Sequence, residues 1–67
     1  MKPDTRNKLL AAWQWCDNHD KSTGFMIEFM KDSARVDHDC VIDFIGRTTD
    51  QEREEWLKQR KLNDLQK

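Results

Sequence analysis

The stretch Ser22–Gly46 reads STGFMIEFMKDSARVDHDCVIDFIG, and it constrains the fold more than any other part of the chain. It holds eight of the thirteen Leu, Ile, Val and Phe residues and two of the three Met. Phe25, Met26, Ile27, Phe29 and Met30 form one block; Cys40, Val41, Ile42, Phe44 and Ile45 form a second. At about 100° per residue each block covers an arc of about 200°, with Glu28, Lys31 and Asp32, and then Asp39 and Asp43, on the opposite side. Two short amphipathic helices joined by a tight turn satisfy this pattern; a strand does not.

The flanking segments add two more helices. The first is predicted over about 5–17, with Asp4 as N-cap after Pro3 and Leu9, Leu10, Ala12, Trp13 and Cys16 on one face. The second and third span about 24–34, started by Ser22 or Thr23, and 38–45, started by Asp37. Val36 is placed to staple onto Val41, and Gly46 to take a left-handed C-terminal conformation. The fourth covers about 49–62 and opens on the capping box Thr49-Asp50-Gln51-Glu52. The expected architecture is all-α, a compact bundle of four short helices forming a single small domain over 1–67, with 62–67 open to fraying. The expected core is Leu9, Trp13, Met26, Phe29, Met30, Val41, Phe44 and Ile45.

Composition narrows the function classes. Leu, Ile, Val and Phe make up only 13 of 67 residues, but a net charge of −1 is too small to hold the chain unfolded. No apolar run approaches the roughly 20 residues of a membrane span, and no secretory segment follows Met1, so a cytoplasmic whole small protein is the expectation. Twelve basic against thirteen acidic side chains disfavour a general nucleic-acid binder. Arg53, Lys58, Arg60 and Lys61 of the fourth helix keep a nucleic-acid-associated role as an alternative, although Glu52, Glu54 and Glu55 stand among them.

Every Cys and His falls in one of two pairs, Cys16-x2-His19 and His38-x-Cys40. Two thiolates and two imidazoles suit tetrahedral Zn²⁺, which makes a zinc-stabilised helical domain a second alternative. His-x-Cys is an unusual ligand spacing, however, and both cysteines also fit the apolar faces of their helices, where a thiol acts as a small hydrophobe. The preferred reading therefore has no metal, no cofactor and no catalytic residue. No family motif stands in the chain.

Protein binding is the reading that remains. Trp15 lies on the wrong side of its helix, near Ala11, and exposed aromatics are common interface anchors. Leu62 and Leu65 are apolar on a helix dominated by charge, and they point away from the Trp56–Leu57 pair. The acidic strip Asp37, Asp39, Asp43 can steer a basic partner. Trp15, Leu62 and Leu65 are the expected anchors, with the aspartates at a rim. The expected activity is that of a small regulator or inhibitor bound to a partner protein, or to itself as a homodimer.

Overall fold

The structure is a computed structural model that describes the backbone of residues 1–65 and the side chains of 1–62. Four helices follow one another through short turns: α1 (Pro3–Asn18), α2 (Thr23–Ala34), α3 (His38–Arg47) and α4 (Asp50–Leu65). The described residues contain no strand, so the architecture is the all-α bundle expected from the pattern. None of these helices is long and apolar enough to cross a membrane.

Each boundary has a local cause. Ser22 Oγ accepts from Phe25 N–H at 3.2 Å and starts α2; Asp37 Oδ1 accepts from Cys40 N–H at 2.8 Å and starts α3. Thr49 Oγ1 accepts from Glu52 N–H at 3.1 Å, which is the forward half of the predicted capping box. Two expected boundaries differ. α1 begins at Pro3 with Lys2 as N-cap, because the fixed φ of proline suits the first helical position and its missing N–H costs nothing there. Asp4 is then inside the first turn, where it pairs with Lys8 at 3.2 Å instead of capping. Gly46 is not the left-handed terminator of α3: no glycine has positive φ, and the helix runs on to Arg47. Thr48 ends it instead, its hydroxyl donating to the Phe44 carbonyl at 2.7 Å. The left-handed positions are Asp20, in the α1–α2 turn, and Arg35, at the C-terminus of α2.

α1 packs most extensively on α2, and α2 on α3. Leu9, Leu10, Ala12 and Cys16 of α1, Met30 of α2, and Val41 and Phe44 of α3 are buried. Of the expected core, Leu9, Met30, Val41 and Phe44 are buried, and Trp13, Met26, Phe29 and Ile45 are partly buried against them. Phe25 and Ile42 remain 44% and 45% exposed. Both lie at the extremes of their 200° arcs, and a helix covered from one side buries the middle of such an arc and leaves its margins to solvent.

α4 joins through side chains. The Arg53 guanidinium lies 4.0 Å from the Trp13 ring centroid and pairs with Asp17. Trp56 Nε1–H donates to Asn7 Oδ1 at 3.2 Å, and Arg6 meets Glu52 at 3.7 Å. The helix continues three residues past the predicted end at 62. The expectation of a frayed tail falls partly on 66–67, outside the described residues.

Candidate functional site

Trp15 sits near the C-terminal end of α1, and the α1–α2 turn folds the next helix back beside it. That turn closes through Lys21 N–H donating to the Cys16 carbonyl at 3.0 Å, with Asp20 in the left-handed region at φ 52°. Asp is among the residues that tolerate this conformation. The result places Phe25 and Phe29, one helical turn apart on α2, alongside Trp15. The Trp15 and Phe29 rings stack at 5.0 Å and 9° between planes, Phe25 and Phe29 at 5.9 Å, and Trp15 and Phe25 at 6.4 Å. His19, four residues on from Trp15, stacks on its ring at 4.1 Å. The His19 Nδ1–H donates to the Trp15 carbonyl at 2.8 Å, which holds the imidazole against the indole. The Lys21 ammonium lies 5.8 Å from the Trp15 ring and 5.2 Å from that of Phe25.

This strip is continuous with an open groove of about 550 Å³ between α1, α2 and α4. Ala11, Trp15, Phe29 and Leu57 supply its apolar walls, and Lys8 and Arg60 its charge. Gln14 and Asn18 also border it, joined to each other by a 2.9 Å hydrogen bond.

The sequence-derived anchors are not one cluster. Trp15 is 39% exposed and belongs to the aromatic strip. Leu62 is 51% exposed on α4 and does not line the groove that Trp15 lines. The side chain of Leu65 lies outside the described residues. The acidic strip is also less free than its spacing suggests. Asp37 is occupied as the α3 cap, Asp43 pairs with Arg47 at 2.9 Å, and Asp39 stands exposed 3.8 Å from His38.

Cys16 is buried while His19 is exposed on Trp15; Cys40 is half-buried and His38 exposed at the start of α3. Among the described residues no three His, Cys, Asp or Glu side chains are grouped to hold a metal ion. Of the basic residues of α4, Arg53 is engaged by Trp13 and Asp17, and Arg60 lies 5.3 Å from the Trp56 ring. Lys58 and Lys61 are exposed.

Sequence reasoning missed Phe25 and Phe29 as the neighbours of Trp15, because both were counted into the core-facing arc. The signal was present: Phe25 and Phe29 occupy the same margin of that arc, separated by only about 40°. No protein-family model, curated protein or solved structure matches this chain.

Proposed function

We propose that this chain is a small protein-binding module, a regulator or inhibitor that presents helix surfaces to a partner protein or to a second copy of itself. Trp15 carries the reading. It is a large aromatic left 39% exposed, beside the 44% exposed Phe25, on a surface that opens into an apolar groove. Aromatic side chains on rigid helices contribute large contact areas at small entropic cost, and they dominate binding energy where interfaces have been dissected. An action in the cytoplasm belongs to the same proposal, supported by two free cysteines, one of them buried.

Two measurements test it. Sedimentation equilibrium of the purified chain reads self-association. A photo-activatable benzoylphenylalanine placed at Gln14 on the groove, or at the exposed Glu54 as control, reads partner contact in the cells that make the chain. A concentration-dependent dimer, or a discrete cross-linked adduct from position 14 and none from 54, is the expected result. A chain that stays monomeric and gives no discrete adduct at either position overturns the reading.

A further inference from the structure

The groove between α1, α2 and α4 differs from the chain as a whole in the sign of its charge. The chain as a whole has one more carboxylate than it has basic side chains. Yet among the described residues the charged side chains lining this groove are Lys8 and Arg60, with no Asp or Glu beside them. The same two cations, Lys8 and Arg60, also border the adjoining depression beside Trp56, whereas a further depression on α4 is bordered by Glu52 and Glu55 as well as Arg6 and Lys58. Lys21 extends the positive lining of the groove, since its ammonium lies beside Trp15 and Phe25 at the same margin. The one carboxylate paired with Lys8 is Asp4, and both side chains are more than half exposed, so water screens that pair and leaves the ammonium available to a stronger partner.

The walls are apolar and helical. Ala11 and Trp15 stand one turn apart on α1, facing Phe29 of α2 and Leu57 of α4. An open channel with small and aromatic side chains on its floor receives the apolar stripe of a helix, which enters as anchors at i, i+3 or i+4, and i+7. Cations at the rim then select carboxylates on the flanks of that stripe. Single-stranded nucleic acid, the other polyanion that combines with aromatics and cations, needs free ring faces for its bases to stack on. Here Trp15 is already stacked by His19 and by Phe29, and Phe25 by Phe29, so these rings remain exposed for lateral apolar contact while offering fewer faces for a base to stack on.

Building on the protein-binding reading, we infer that this groove takes an acidic amphipathic helix of a partner protein. Its apolar side chains lie against Trp15, Phe29 and Leu57, and its carboxylates meet Lys8 and Arg60.

Selection of a displayed random peptide library of about 16 residues, long enough for about four helical turns, on the immobilised full chain tests this. The enriched peptides should be net acidic and should carry apolar residues at helical spacing. Binding of the best of them, followed by anisotropy of a labelled peptide, should weaken about tenfold in Lys8→Gln/Arg60→Gln. It should be lost in Ala11→Glu, which both fills and reverses the groove. Ser33, exposed on α2, also lines the groove, and Ser33→Glu repeats the charge test from that side, so a folding defect in one variant, read by its thermal melt, does not decide the outcome. Absence of enrichment, enrichment without acidic bias, indifference to the groove variants, or tighter binding of a 15-nucleotide oligothymidylate at about the same salt each overturns the inference. Position 14 cross-links or a dimer found in the face of such a result would leave the general protein-binding reading standing; their absence would remove both.

Discussion

Phe44 illustrates how much of this fold rests on single side chains. It is 7% exposed and meets Trp13 edge to face at 6.2 Å, so it ties α3 to α1 across the middle of the bundle. Truncating a buried Phe costs about 3–5 kcal/mol, and the total stability of so short a chain is about 5. Phe44→Ala is expected to be largely unfolded at 37 °C by circular dichroism; a cooperative melt like that of the wild type would show that the contact is dispensable. Cys16 gives a different test at the same scale. Burial, together with the neighbouring Asp17 and against the opposing Lys21, raises its thiol above the ordinary range. The unfolded chain then releases this proton at a lower pH than the folded chain does, so the contribution to stability is intact below about pH 8.5 and is lost as pH rises from there through the folded pKa. Urea unfolding between neutral pH and pH 10 should therefore fall more steeply for the wild type than for Cys16→Ala. Equal slopes would mean that the thiol is solvated.

At the scale of the helix, the sequence was legible wherever a side chain does its work locally. Ser22, Asp37 and Thr49 cap as their spacing implies, since a hydroxyl or carboxylate reaching an amide three residues on needs no tertiary partner. Gly46 was misread because glycine after an apolar block signals a terminator only if the next residues cannot continue the helix, and Arg47 can. Trp15 was correctly placed off the core-facing side of α1, yet its partners on α2 were not visible, because they depend on how the α1–α2 turn rotates one helix against the other. The glycine correction has a measurable consequence. A Cβ at Gly46 meets nothing within 4 Å, and its backbone is helical, so Gly46→Ala should stabilise by about 0.5–1 kcal/mol and raise the melting temperature by about 2–8 °C. Had Gly46 been left-handed, the same change would destabilise. Arg35, at φ 56°, is the reverse case: Arg35→Gly relieves a steric penalty at the α2 terminus and should be neutral or stabilising. Differential scanning calorimetry of both variants reads the two signs independently.

For the whole molecule the decisive question is how α4 is held, because the groove exists only while α4 lies across α1. Among its described side chains the apolar contribution is small: Trp56 and Leu57 are partly buried, and Leu62 is half exposed. Among the described side chains the remaining attachment is polar and lies in the first half of the helix, at Glu52, Arg53 and Trp56. Arg53 makes two of these contacts, stacking on Trp13 at 4.0 Å while pairing with Asp17. A guanidinium over an indole contributes about 0.5–1 kcal/mol near the surface, and a partly exposed ion pair adds at most about as much. That sum is a small part of global stability but a large part of what separates docked from undocked α4. Arg53→Ala should thus leave the α1–α3 core folded, lower the melting temperature modestly, and raise amide exchange selectively in 50–65 by up to about thirtyfold. Arg53→Lys should fall between the two, since lysine keeps the charge but loses the planar stacking. The same variants should weaken any ligand of the groove in proportion to the loss of α4 docking, because a ligand that binds the docked form must first restore it. Uniform loss of protection across all four helices would show instead that α4 and the core melt as one unit, and unchanged exchange would show that Trp56 and Leu57 hold the helix without Arg53.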